Sequence, residues 1–234
     1  MLDVCINCCM DAELEAEMRR VPLRSISAKH FYQYNTSAKS EQQPVDEIKY
    51  LLPRMLELLA QGSELHHSIE VCLQRIGSCG AAAFSQKERV AIDTFALCYF
   101  TEYLNQHPWL NDDGFSPDNA FSVLLMFDYG GLALEPLLDR WLAIDCNAAT
   151  LHYADASYFD FWREGKIGNA FASERLLFCE TMQSWLTSSK NRECFAKRIL
   201  NFDVGALYRA GDIHRGCGLN SKDVIEAVFD LITD

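Results

Sequence analysis

Between Val45 and Ala60 the chain places Ile48, Leu51, Leu52, Met55, Leu56, Leu58 and Leu59 at helical spacing. This broad apolar stripe constrains the fold more than any other feature. Residues three and four apart share one face of an α-helix, whereas a half-buried strand needs alternation with period two. The helical period recurs along the chain, and convincing period-two alternation does not. The pattern predicts an all-α protein of roughly ten helices joined by short loops. They form either a helical bundle or a short helical-repeat-like array, and no strict repeat length favours the second.

Punctuation residues divide the pattern. A charge-rich helix is expected from Asp11 to Arg20, where Pro22 breaks it. Ser27 reads as the N-cap of a helix with His30 at its third position and Phe31, Tyr34 and Ala38 on one face. Pro53 sits inside the Val45–Ala60 stripe, marking either a kink or a first turn, and Gly62 is the stop. Ser85 and Glu88 have capping-box spacing ahead of Val90, Ile92, Phe95, Ala96, Tyr99, Phe100, Tyr103 and Leu104. Further helices are expected over 120–127, 132–144, 148–162 and 171–186, with a shorter one carrying Phe195 and Ile199. A last helix, capped by Ser221, has Val224, Ile225, Val228 and Leu231 as its core face.

At 234 residues, with 49% hydrophobic and 12% aromatic residues, the chain has enough apolar surface to fold without disulfides or a structural metal. The expectation is a single helical domain over 1–234 with a flexible cysteine-rich start over 1–10. A net charge of −12 and a pI of about 4.9 repel phosphate backbones and anionic lipid. They exclude nucleic acid and membrane as preferred partners and would steer a basic protein inward. Asp3, Asp11, Glu13, Glu15 and Glu17 arrive where a signal peptide needs a basic then apolar run, and no stretch nears the ~20 apolar residues of a membrane span. A cytoplasmic, reducing location follows as an expectation. Most of the ten cysteines would then serve as small apolar thiols.

The most distinctive stretch runs Pro22-Leu23-Arg24-Ser25-Ile26-Ser27-Ala28, then Tyr34, then Leu51-Leu52-Pro53-Arg54-Met55-Leu56-Glu57-Leu58-Leu59-Ala60. It resembles a broad family of bacterial all-helical proteins with no assigned activity. In that family a Pro-Leu-Arg opening precedes a tyrosine helix and then an acidic helix of the Leu-Leu-Pro-Arg type. Asp46 and Tyr50 match its acidic and aromatic positions, and Cys5 and Cys8 stand where the family carries a cysteine pair. The polar segment from Ser37 to Gln43 departs from the apolar or Trp-Gly turn of relatives. The resemblance implies a helical fold and a bacterial cytoplasmic origin, and it brings no catalytic residue with it.

Cys5-x-x-Cys8-Cys9 is the sharpest local signal, because thiolates three residues apart can grip one Zn²⁺ from a single turn. Completing a tetrahedral site needs further ligands, such as His30 or Cys217, brought in by folding. The alternatives are a redox dithiol and a frayed terminus with incidental cysteines. No other cofactor is indicated. The loop Gly211 to Gly218 gathers Asp212, His214 and Cys217, in which Asp212 could orient His214 and His214 activate a nucleophile. The plainer reading is a glycine-rich loop beside a helix. His66 could pair with Glu70 across one helical turn, with His67 beside them. Asp155, Asp160 and Glu164 lie among Tyr153, Tyr158, Phe159 and Trp162, where carboxylates could do acid–base work or form a wet helix face. The segment Asn111-Asp112-Asp113-Gly114 is not a calcium loop, because Ala120 stands where the bidentate glutamate belongs.

No Walker loop, dinucleotide fingerprint, nucleophile elbow or zinc-protease motif occurs. The first functional expectation is therefore a non-enzymatic binding protein, an immunity- or antitoxin-type inhibitor that docks a basic protein through an acidic surface. A helical scaffold or adaptor is the second. A hydrolase-like enzyme built on Asp212, His214 and Cys217 is the third.

Overall fold

The computed structural model describes residues 1–106, 119–202 and 220–234. Among these residues there are eleven α-helices and no strand, as the periodicity requires. They are α1 (Ala12–Arg20), α2 (Ala28–Thr36), α3 (Val45–Ala60), α4 (Gln74–Gly77), α5 (Gln86–Asn105), α6 (Ala120–Tyr129), α7 (Glu135–Ala143), α8 (Asn147–Ser157), α9 (Leu176–Thr187), α10 (Ser189–Leu200) and α11 (Ser221–Thr233). None is long and apolar enough to cross a membrane. The chain divides into two compact units, with α5 and α6 contributing to both. The first holds residues 1–99 and 123–134, and the second holds the remaining described residues.

In the first unit the local chemistry expected of the sequence sets the helix starts. Asp11 accepts hydrogen bonds from the N–H groups of Glu13 and Leu14 at 2.9 and 3.0 Å and opens α1. Ser27 opens α2, with the His30 ring nitrogen Nδ1 accepting from the Ser27 N–H at 3.2 Å. Ser85 and Glu88 form the capping box of α5: Ser85 N–H donates to Glu88 Oε2 at 2.7 Å. Helix α3 continues through Pro53 without a break. Interior proline costs about 3 kcal/mol. Ile48, Leu51, Leu52, Met55, Leu58 and Leu59 are all buried, at about 1.5–3 kcal/mol each, so burial outweighs that cost. The close approach of α4 to the end of α6 requires Gly77. A Cβ there would press into the Tyr129 carbonyl oxygen and lie 3.1 Å from its carbon.

The second unit is built around Trp141 on α7, which is fully buried. Phe100, Phe121, Tyr153 and Phe195 meet it edge-on with ring centroids 5.5–6.3 Å away, and Trp185 lies at 5.4 Å. Such edge-to-face pairs add about 0.5–1.5 kcal/mol each beyond area burial. The Trp141 indole N–H donates to the Ala149 carbonyl at 3.0 Å, so the large side chain leaves no unmet donor. Tyr153 stacks on Phe195 at 3.6 Å and donates its hydroxyl to Asn191 at 2.8 Å. Arg198 closes the end of α7 by donating to the carbonyls of Trp141 and Leu142 at 3.2 and 2.7 Å. Helix α11 packs on α8 and α10 through Val224, Ile225, Val228 and Ile232.

Several expected boundaries move for physical reasons. The segment expected as one helix over 148–162 ends as α-helix at Ser157 and continues as a wider π turn over Tyr158–Trp162. Helix α7 starts at Glu135 rather than near 132, because Gly131 adopts φ 75°. That start puts Pro136 in the first turn, where no intrahelical donor is needed. The cap of α11 is Asn220, in a capping box with Asp223, while Ser221 is its buried first residue.

Candidate functional site

The cysteine-rich start is held down by buried polar groups. The carboxylate of Glu15, on α1 and only 3% exposed, accepts the Leu2 N–H at 2.8 Å and Arg19 Nε at 2.8 Å. Burial alone would raise the Glu15 carboxyl, but these bonds outweigh it and hold it below its ordinary value. The Asp3 N–H donates to Glu47, and the Asp3 carboxylate accepts from Ser40 and Gln43. The Cys5 N–H donates to the Ala38 carbonyl at 3.2 Å. Met10, at the far end of the cysteines, is buried in the core.

Between these anchors the backbone turns on itself, with the N–H groups of Cys9 and Met10 both donating to the Cys5 carbonyl at 3.2 and 3.0 Å. The turn brings Cys5, Cys8 and Cys9 together, with all three Sγ atoms within 4.8 Å of one another. Cys5 Sγ lies 3.2 Å from Cys8 Sγ, and Cys8 Sγ lies 3.3 Å from Cys9 Sγ. The Cys8 thiol hydrogen bond and the Asn7 and Cys8 N–H groups stabilise a Cys5 thiolate and lower its pKa. Cys8, placed between two other sulfurs, is pushed up to about 12 by those hydrogen bonds and by its neighbours' charge. Cys8 and Cys9 are exposed and Cys5 is half-buried. The arrangement can present up to three soft donors to one thiophilic ion.

Beneath this turn lies a guanidinium that sequence reasoning missed. Arg75 on α4 is 2% exposed. It donates Nη1 to the Asp3 carbonyl at 3.0 Å and to Gln43 Oε1 at 3.1 Å, and Nη2 to the Tyr34 carbonyl at 2.7 Å. It also sits 4.1 Å over the Tyr34 ring. The Tyr34 hydroxyl donates to Glu47 at 2.7 Å. Nearby, burial first and the Arg75 charge second lower the Lys39 ammonium to about 8.

The remaining candidates fare differently. Asp212, His214 and Cys217 lie outside the described residues, as does 111–114. His30 is not among the clustered metal-ligating groups, and its Nδ1 is committed to Ser27. His66 and Glu70 do not share a helix: His66 is in a bend, and Glu70 lies in a short 3-10 turn over Ile69–Val71. His66 stacks on His67 at 4.1 Å, and its Nδ1 accepts from the Ser68 N–H at 3.1 Å. Asp160 accepts from Asn119 Nδ2 at 2.8 Å, while exposed Glu164 faces Lys166 at 3.5 Å. That pair is thus split, with one carboxylate engaged in structure and the other in solvent. Comparison with protein-family models, with curated proteins and with solved structures gives no match.

Proposed function

We propose that this chain is a non-enzymatic binding protein of the immunity or antitoxin type, which docks a basic protein through an acidic helix face. The observation that carries the reading is on α11. Asp223, Glu226 and Asp230 are exposed and fall within about 60° of arc at 3.6 residues per turn, opposite the buried Val224, Ile225, Val228 and Ile232. Lys222 offers the stripe one cation, 3.6 Å from Glu226. The last turn of α11 has no basic residue, and Asp230 stands there against the helix dipole. A carboxylate in that place costs a few tenths of a kcal/mol up to about 1 kcal/mol, so helix stability does not account for it. A basic partner would recover that energy and would be steered by the net charge of −12.

The test is capture of partners from the native host at low and moderate salt, followed by association kinetics. The expected partner is basic, retained at low salt and lost as salt rises. Reversing the stripe (Asp223→Lys, Glu226→Lys, Asp230→Lys) should slow association about 10-fold or more. An unchanged association rate, or a chain that elutes alone at both salts, overturns the reading.

A helical adaptor is the second reading, favoured by Leu176 and Leu177 in the first turn of α9, which are 72% and 75% exposed. An adaptor would retain its partner at high salt and lose it on Leu177→Ser.

A further inference from the structure

We infer that Cys5, Cys8 and Cys9 form a three-thiolate Zn²⁺ site whose fourth position is open to an exchangeable ligand. Tetrahedral zinc with Zn–S of about 2.3 Å holds its sulfurs about 3.8 Å apart. The Cys5–Cys8 and Cys8–Cys9 separations are 3.2 and 3.3 Å, so each need open by only about half an ångström. Side-chain rotation supplies that, because Cys8 and Cys9 are exposed and their rotamers are unhindered by core packing.

The backbone beneath needs no reorganisation. The Leu2 N–H is fixed by buried Glu15, the Asp3 carbonyl by buried Arg75, the Cys5 N–H by Ala38, and Met10 by the core. A frayed segment carrying the same three cysteines would have to be ordered on binding, and here that ordering is already built in. The three Sγ atoms already lie within 4.8 Å of one another, and a divalent thiophilic ion at their centre would take the place of the thiol protons that bridge them. Binding exchanges each thiol proton for the metal, so protons pass to solvent, no sulfur changes oxidation state and no oxidant is required.

Among the described residues no fourth histidine, cysteine or carboxylate joins the cluster. Structural zinc sites are closed by four protein ligands, whereas three ligands with an outward-facing fourth position mark a site that exchanges water for an incoming donor. The inference is independent of the acidic face on α11 and survives if that reading fails.

The experiment is titration of the reduced full-length chain with Co²⁺ as the optical probe, followed by Zn²⁺ back-titration. The expected result is one equivalent of Co²⁺ per chain, with thiolate-to-metal charge-transfer absorption displaced stoichiometrically by Zn²⁺. Cys8→Ser should weaken zinc binding by more than the roughly 10–100-fold that loss of an outer-shell partner costs. Cys5→Ser and Cys9→Ser should do the same, and Cys98→Ser, an exposed cysteine elsewhere, should not. Circular dichroism of each variant separates loss of ligand from loss of fold. Three results overturn the inference: no charge-transfer band in the reduced chain, a band unaffected by the three substitutions, or a band lost equally in Cys98→Ser.

Discussion

Replacing Arg75 by alanine tests how the first unit is held together. The guanidinium makes three hydrogen bonds of 2.7–3.1 Å, to Tyr34, Asp3 and Gln43, and lies against the Tyr34 ring. Hydrogen bonds from a charged donor contribute about 1.5–3 kcal/mol each. The gross gain of about 4.5–9 kcal/mol is offset by several kcal/mol spent removing the cation from water. Removal is not the reverse of that small net. Arg75→Ala leaves the buried Gln43 side-chain oxygen and two backbone carbonyls without their guanidinium donor, and removes the cation 3.6 Å from the Asp3 carboxylate, whose side chain is 15% exposed. The expected cost is about 3–5 kcal/mol, a large share of the about 5–15 kcal/mol typical of a folded protein. With a urea m-value of about 2 kcal/mol/M, the midpoint followed by far-ultraviolet circular dichroism should fall by about 1.5–2.5 M. Arg75→Lys keeps the charge but cannot fork between Gln43 and Tyr34, and should recover less than half of that loss. A midpoint shift below about 0.5 M for Arg75→Ala, at unchanged m, would show that the network is dispensable and refute the argument.

Two further outcomes follow from the geometry. Gly77→Ala forces a Cβ against the backbone of Tyr129 rather than against a movable side chain, so it should cost at least the about 1–3 kcal/mol of overpacking despite alanine's better helix propensity; a neutral or stabilising result in thermal melts would contradict the close approach. Burial, then the neighbouring His67, lowers the His66 pKa from 6.5 to about 4. The unfolded chain therefore takes up a proton near pH 6.5 that the folded chain refuses until about pH 4. Stability should fall across that window as pH drops, by about 3 kcal/mol at one pKa unit per 1.36 kcal/mol, and His66→Gln should flatten the fall. Urea midpoints measured at intervals from pH 7 to about 4 check the sign, and a slope unchanged in His66→Gln would remove His66 as its source.

The sequence was most legible where structure is set within one or two helical turns. The bounds of Val45–Ala60 are readable from the sequence because its stripe is long and its burial outweighs Pro53. Ser27 and the Ser85–Glu88 pair were readable because a cap acts over three residues. Arg75 left no such trace, because its partners Asp3, Tyr34 and Gln43 are 72, 41 and 32 positions away. The same distinction runs through the cysteine turn. The spacing of Cys5, Cys8 and Cys9 suggested a shared ion, whereas the anchoring by Glu15 and Ala38 depends on tertiary packing. Ser221 was a plausible cap by type, but Asn220 beside it has Asp223 three positions on and wins the capping box. Spacing alone permits His66 and Glu70 to share a helical turn, but the positive φ of Gly62 turns the chain out of helix before it.

The aromatic cage around Trp141 has an optical consequence. Trp141, Trp162 and Trp185 all belong to the second unit, and the described residues of the first unit contain no tryptophan. Tryptophan emission from these residues therefore watches one half of the molecule, while amide dichroism watches both. In a single denaturant titration, two superimposable curves would mean that the units melt as one cooperative block, and two separated curves would date the loss of each. The protein thus carries its own spectroscopic address label, and a destabilised Arg75 or Gly77 variant can be assigned to its unit without any added dye.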